Sequence, residues 1–270
     1  MGLFHVNYDR PGPGVRKDEP EKNAFIRFFS ILSRKFTKFI ELNLLFLLLL
    51  LAAFFVTYLL SSLSPNWVVN LLLVLLVSPF IAGITFVTRN YAREEHAFLL
   101  SDFFEATKNN WKAFLINGAV CYFLYVVIDV AIKFYYSKLS SNGIWYFALG
   151  ICIAIAFLLV FAQYYVPVMI VTFDLTLMQI YKNALIFAVL GLWRNLLLTV
   201  MLLLLALALY LSQAIMFTFL VGIIFSITLL FSLSFFLINF TIYPLIYKMM
   251  ILPLKKNENE QEEQHNFSDK

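Results

Sequence analysis

The chain has 270 residues, of which 62% are hydrophobic and only 13% are charged, and its formal net charge is +4. A soluble domain carries about 25% charged residues, and a water-soluble fold could not bury this much apolar surface. The composition therefore excludes a soluble globular protein and predicts an all-α, polytopic integral membrane protein with the lipid bilayer as its solvent. The small net charge gives no indication of nucleic-acid binding.

The N-terminal residues 1–22 are polar, rich in Pro and Gly, and without the apolar stretch of a cleavable signal peptide. We expect them to form an irregular segment before a single transmembrane domain over residues 23–250. Apolar residues recur at helical spacing from residue 23 onward. Four basic residues lie between them: Arg27, Arg34, Lys35 and Lys38. This pattern predicts a basic amphipathic helix that lies in the headgroup plane or else extends the first span.

The rest of the apolar sequence divides into six segments of the length that a membrane span needs, about 20 residues. The dividing cues are SSLSPN at 61–66, a polar loop at 138–143 and SQA at 212–214. The predicted spans cover residues 42–60, 67–88, 113–132, 144–168, 186–211 and 216–239. The acidic, polar residues 251–270 predict a disordered tail.

Basic residues near the span ends are distributed unequally. One side has only Lys133 and Lys138. The other side has thirteen: Arg27, Arg34, Lys35, Lys38, Arg89, Arg93, Lys108, Lys112, Lys182, Arg194, Lys248, Lys255 and Lys256. Because positive residues accumulate on the cytoplasmic side, both termini and the two charged interruptions are predicted to be cytoplasmic.

Each charged interruption contains a capping-box pattern, which marks the start of a helix. The first has D-x-x-E at Asp102 and Glu105, and the second has T-x-x-Q at Thr176 and Gln179. We expect two short amphipathic cytoplasmic helices, each leading into a span. The dipeptide Lys-Asn follows at the same distance from each cap, which raises the hypothesis of a duplicated unit.

These interruptions also hold the charged and amide side chains that a cytoplasmic partner would contact. They form either a solvated loop surface or a docking surface. The candidate docking residues are Arg93, Glu94, Glu95, His96, Lys108, Asn109, Lys182 and Asn183.

Four polar side chains lie within the predicted spans, where such residues are candidates for function. They are Asn117, Asp129, Gln163 and Asn239. Asp129 is spaced to pair with Lys133 at the outer end of its span, which favours a structural role over transport. Together with Tyr164 and Tyr165, the three amides offer contacts to a neutral solute.

No nucleotide-binding loop, nucleophile elbow or zinc-protease motif occurs in the chain. The three histidines lie in separate polar segments, and both cysteines, Cys121 and Cys152, lie in apolar runs where they are expected to pack. We therefore expect neither catalytic residues nor a cofactor nor a metal.

Several stretches together resemble a known group: GPGV at 12–15, KDEP at 17–20, FFSILSRKFTKFIELNLL at 28–45, and YAREEHAFL at 91–99 followed by SDF. They are similar to the YesL family of small polytopic membrane proteins of Gram-positive bacteria, which is grouped as a domain of unknown function. The resemblance implies a multi-pass protein of the bacterial plasma membrane. Members are often encoded beside carbohydrate ABC importers, which implies importer permeases as partners. The family has no accepted site residues to carry over.

Three functions follow as hypotheses, and the sequence leaves the oligomeric state open. The first is an accessory subunit of a carbohydrate importer, although Glu105-Ala106-Thr107 only partly matches the E-A-A-x-x-x-G loop of importer permeases because Trp111 replaces the glycine. The second is a stand-alone transporter of a neutral solute such as a sugar. The third, an intramembrane enzyme, has no motif to support it.

Overall fold

The computed structural model describes residues 23–61, 65–140 and 142–253, and within these ranges the chain forms helices joined by short links, with no strand. A 3-10 turn at Ser212–Ala214 and a π-helical turn at Tyr247–Ile251 accompany the α-helices. The α-helices in chain order are α1 Ala24–Arg34, α2 Phe36–Leu60, α3 Asn66–Ala92, α4 Leu99–Lys138, α5 Ile144–Ile170, α6 Leu177–Leu190, α7 Leu192–Leu211, α8 Met216–Thr228 and α9 Leu230–Ile246.

Six helical segments in the described ranges are long and apolar enough to cross a membrane, and this confirms that part of the prediction. They are α2, α3, α4, α5, Leu192–Ala214 and Leu230–Ile251. The polar segment 1–22 and residues 254–270 of the predicted tail lie outside the described residues. Residues 251–253 are helical and continue from α9.

The fifth apolar segment differs from its predicted bounds, 186–211. Helix α6 runs on to Leu190, and Gly191 separates it from α7. A Cβ at Gly191 would lie 2.4 Å from the hydroxyl oxygen of Tyr165 on α5, so any side chain there would force Tyr165 or the backbone to shift. Asn195 donates from Nδ2 to the carbonyl oxygen of Ala188 at 3.0 Å and thus bridges the two helices.

The predicted span at 216–239 is not one helix, because it breaks at Leu229 between α8 and α9. The fully buried Asn43 of α2 supplies the missing hydrogen bonds on both sides of the break. Its Nδ2 donates to the carbonyl oxygens of Ser226 (3.2 Å) and Ile227 (2.7 Å). Its Oδ1 accepts from the backbone N–H groups of Phe231 (2.8 Å) and Ser232 (3.0 Å). A break inside an apolar bundle needs such a partner, since unpaired backbone groups are costly there.

The first predicted cytoplasmic helix and the span at 113–132 are a single helix, α4, 40 residues long. It begins at Leu99, three residues before the predicted cap. Asp102 lies in its first turn, where its carboxylate accepts from the backbone N–H of Phe98 at 2.9 Å. The predicted D-x-x-E capping box is therefore wrong in its position.

The second capping box is confirmed. Thr176 caps α6, its hydroxyl accepts from the backbone N–H of Gln179, and the Gln179 side chain accepts from the backbone N–H of Thr176 at 3.0 Å. Because α6 ends after 14 residues while α4 continues for 40, the two elements proposed as a duplicated unit differ in form.

The basic amphipathic segment forms a separate helix, since the backbone of Lys35 leaves helical geometry between α1 and α2. Ile31 is fully buried, and Phe28 packs against Phe236 and Phe240 of α9. The opposite face of α1 is apolar and open, and Phe25 on that face is 70% exposed. An in-plane orientation of α1 stays a prediction.

Buried side chains concentrate toward one end of the helix bundle. We call this end the basic end. It comprises α1, the start of α2, the α3–α4 link, the start of α4, the α5–α6 link, α6, the start of α7 and the end of α9. In α3 the buried residues run from Ser78 to Ala92, and in α4 they all lie between Phe103 and Gly118. The other halves of α4 and α5 expose apolar side chains, which fits contact with lipid.

Candidate functional site: a polar cavity at the basic end

The left-handed backbone of Glu94 (φ 60°) turns the α3–α4 link so that its carboxylate reaches α1. Arg34 donates to its Oε2 at 2.8 Å and Arg27 to its Oε1 at 2.9 Å. These bonds, first from Arg34 and then from Arg27, hold the pKa of Glu94 below its ordinary value, although partial burial acts in the other direction. Arg27 also donates to the carbonyl oxygen of Ala92 at 3.2 Å, so α1 is fastened to the end of α3.

Lys35 adds a second attachment between the same elements. Its Nζ donates to the carbonyl oxygen of Glu95 at 2.9 Å and lies 4.3 Å from the centre of the Tyr91 ring. Burial, followed by the neighbouring charge of Arg34, lowers the pKa of Lys35. Arg93 pairs with Glu95 across 2.5 Å. The link is therefore held by ion pairs within the chain, while the side chains that form them stay partly exposed.

Arg89 lies one turn deeper in α3 and is only 6% exposed. It donates to the carbonyl oxygen of Val171 at 2.6 Å, to the hydroxyl of Thr172 at 3.0 Å and to the side-chain oxygen of Asn90. Its guanidinium also lies 4.4 Å from the Phe86 ring centre. Neutral acceptors thus satisfy this buried cation and join α3 to the α5–α6 link. Sequence reasoning counted Arg89 only as an orientation signal.

A cavity of about 800 Å³ opens beside these ion pairs. Its guanidinium groups come from α1, the α3–α4 link and α7, and one carboxylate joins them. The lining residues are Ala24, Arg27, Ala92, Arg93, Glu95, Arg194, Phe240, Thr241, Tyr243, Pro244 and Tyr247. Arg194 and Tyr243 are lining residues that sequence reasoning did not single out, because only the packing of α7 against α9 brings them to the link.

Tyr243 has an unusual position in this lining. The residue is 8% exposed, and its hydroxyl oxygen has no hydrogen-bond partner among the described residues. The Arg93 guanidinium lies 5.2 Å from its ring centre. A buried hydroxyl without a partner is uncommon, so the Tyr243 hydroxyl is an unused donor in a residue that lines the cavity.

The structure separates the candidate docking residues into two groups. Arg93, Glu94 and Glu95 take part in the internal ion pairs. The remainder lie outside that network on the link, α4 and α6: His96, Lys108, Asn109, Lys182 and Asn183. All of these except the half-buried Asn183 are exposed. Among the described contacts, none joins the two Lys-Asn pairs.

The four intramembrane candidates fall in three separate places. Asn117 donates to Gln163 at 3.3 Å and accepts from the Tyr181 hydroxyl at 3.1 Å. Asn239 donates to the Thr88 hydroxyl at 3.0 Å and to a carbonyl oxygen of its own helix, while its side-chain oxygen has no partner within the described residues.

Asp129 occupies the third of these places. It pairs with Lys133 at 2.6 Å, as the spacing of the two residues predicted. The two aromatic residues proposed with the amides also have polar partners. Tyr164 shares a hydrogen bond with Thr199 at 2.9 Å, and Tyr165 donates to Asn195 at 2.8 Å. None of these intramembrane groups lines the cavity at the basic end.

Within the described residues, no group of three or more His, Cys, Asp or Glu side chains is placed to hold a metal ion. Cys121 and Cys152 are both free thiols.

Comparisons with protein-family models, with curated proteins and with solved structures found no match to this chain. The resemblance to the YesL family stays a prediction. What the sequence and the fold establish together is a helical chain with six segments that are long and apolar enough for a multi-pass membrane protein.

Proposed function

We propose that this chain is an accessory or regulatory membrane subunit associated with a carbohydrate ABC import system of a bacterial plasma membrane. The observation that carries this proposal is that most of the intramembrane polar groups bond to groups within the chain. Asn117 and Gln163 bond each other, and Asn239 bonds Thr88. A pathway for a polar solute needs polar groups that face a passage. Polar groups that are bonded within the chain fit a membrane subunit that supports a partner protein instead.

The partner surface in this proposal is the exposed polar part of the basic end, taken to be cytoplasmic. His96, Lys108, Asn109 and Lys182 project from the α3–α4 link, α4 and α6 and are exposed. Exposed cations and amides suit the polar rim of a transient interface between membrane subunits. The choice of a carbohydrate importer rests on the resemblance of the N-terminal third to the YesL family.

The test is affinity purification of the tagged chain from native membranes in mild detergent, with mass spectrometry of the proteins that accompany it. We expect importer permeases, and we expect Lys108→Gln with Lys182→Gln to reduce their yield. The matched control is Lys133→Gln, which removes one charge at the opposite end of the bundle. An equal yield of permease from all three preparations would contradict the docking surface.

A stand-alone transporter of a neutral solute is the second candidate, and the two helix breaks favour it. Broken membrane helices at Gly191 and Leu229 resemble the discontinuous helices that surround substrate sites in transporters. On this alternative, purified chain in liposomes takes up a neutral oligosaccharide, and Gln163→Leu with Asn239→Leu abolishes uptake. Uptake that survives in a well-folded double variant, or no uptake by the wild type, argues against it.

A further inference from the structure

We propose that the cavity at the basic end binds the phosphate group of an anionic phospholipid. This inference is independent of the proposed function, because it concerns what occupies the cavity rather than which protein accompanies the chain. Its starting point is the charge of the lining, which has three guanidinium groups and a single carboxylate. Guanidinium groups offer paired N–H donors that match the oxygens of a phosphate.

Two of the three arginines are held in place by internal bonds. Arg27 is fixed by Glu94 and by the carbonyl oxygen of Ala92, and Arg93 is fixed by Glu95. Held in this way, their remaining N–H groups need little further ordering when a ligand arrives. Arginines on two different elements thus form a prepared rim for an anion.

Arg194 supplies the charge that an anion would neutralise. It is an exposed residue in the first turn of α7, it lines the cavity, and no described carboxylate pairs with it. Removing its charge therefore leaves the internal ion pairs of the basic end intact. This makes Arg194 the most informative position to test.

The Tyr243 hydroxyl gives a second, independent indication of a ligand. Tyr243 belongs to the lining and is more than nine-tenths buried, and its hydroxyl has no hydrogen-bond partner in the described part of the chain. A buried donor is normally paired, and a phosphate oxygen would accept from it.

The surroundings of the cavity indicate a lipid as the source of the phosphate. Trp193, next to Arg194, is 80% exposed and stands at the start of an apolar segment, as an interfacial aromatic residue does. Leu192, on the other side of Trp193 from Arg194, is apolar and exposed as well. A headgroup in the cavity therefore has apolar surface next to Arg194 for its acyl chains. Anionic lipids also concentrate where positive residues do.

The experiment is native mass spectrometry of the full chain with equal amounts of phosphatidylglycerol and phosphatidylcholine. We expect the wild type to retain phosphatidylglycerol preferentially. One basic residue near a membrane surface contributes a free energy that changes the affinity for anionic lipid about fivefold. Arg194→Gln should therefore reduce the preference for phosphatidylglycerol by about fivefold. The matched control is Lys182→Gln, an exposed cation outside the lining, which should keep the preference.

Tyr243→Phe keeps the ring and removes only the hydroxyl, and it should also weaken retention of phosphatidylglycerol. Equal behaviour of Arg194→Gln and Lys182→Gln would overturn the proposal, as would no preference in the wild type. Glycerol phosphate, the soluble counterpart, is added in a parallel titration. Retention of phosphatidylglycerol that persists against an excess of it supports the lipid source, and displacement overturns that source.

Discussion

At the level of single residues, two buried side chains compensate for breaks in the helices. Asn43 bonds to four backbone groups across the α8–α9 break, and Asn195 bridges α6 and α7. Both stand in apolar sequence, where an asparagine is visible but its partner is not. The partners of Asn43 lie more than 180 residues away, so only the folded chain shows them.

Asn43→Leu should lower the stability of the folded chain by about 3 kcal/mol, because it leaves carbonyl and N–H groups unpaired in apolar surroundings. The measurement is the unfolding midpoint in detergent. The matched control is Asn109→Leu at an exposed position on α4. Equal midpoints for both variants would show that the break does not depend on Asn43.

Gly191→Ala should destabilise the chain by about 2 kcal/mol, since its Cβ would meet the Tyr165 hydroxyl and the carbonyl oxygen of Phe187. Gly150→Ala is the control, because nothing lies within 4 Å of a Cβ there. Tyr165→Phe added to Gly191→Ala should restore part of the loss. A Gly191→Ala variant as stable as Gly150→Ala would contradict the close approach.

At the level of elements, the sequence predicted best where the signal was local. The Thr176–Gln179 box needs only four consecutive residues, and it formed as predicted. The same kind of pattern at Asp102 was misplaced, because the helix starts earlier and uses the carboxylate inside its first turn. The bounds 186–211 and 216–239 could not be corrected from the sequence, since no Gly or Pro marks the break at Leu229 and Gly191 needs Tyr165 to explain it.

The attachment of α1 should weaken in acid. The pKa of Glu94 is lowered in the folded chain, so its contribution is fully present above its ordinary value of 4.5 and is lost as the pH falls through the lowered value. Hydrogen exchange of α1 amides, corrected for intrinsic rates, should therefore rise on acidification. In the Glu94→Gln variant, the exchange of the α1 amides should already be raised at neutral pH and should no longer depend on pH. Glu105→Gln, at an exposed position on α4, is the control, and an identical profile for both variants would contradict the attachment.

For the whole molecule, the sequence predicted the six apolar helices but not the uneven packing between its ends. Hydropathy along the chain predicts lipid as the solvent and gives the count of six long apolar segments, because it depends on each residue alone. The candidate site depends on contacts between distant elements. The site could therefore not be predicted from the sequence, because only the fold brings Arg27, Arg93 and Arg194 to one cavity.

The predicted orientation rests on the distribution of basic residues, and it is open to a direct test. With Cys121 and Cys152 replaced by Ala, His96→Cys should react with a membrane-impermeant maleimide only in inside-out vesicles. Tyr146→Cys, at the opposite end of the bundle, should react in intact cells. The reverse pattern would contradict the assignment of the basic end to the cytoplasm.

We propose that this chain assists an importer rather than forming a solute pathway of its own. The most direct measurement is quantitative mass spectrometry of the tagged wild-type chain, purified gently from native membranes. We expect importer permeases in a fixed ratio to the chain across independent preparations. Recovery of the chain with lipid alone, together with uptake of an oligosaccharide by the same preparation in liposomes, would contradict it.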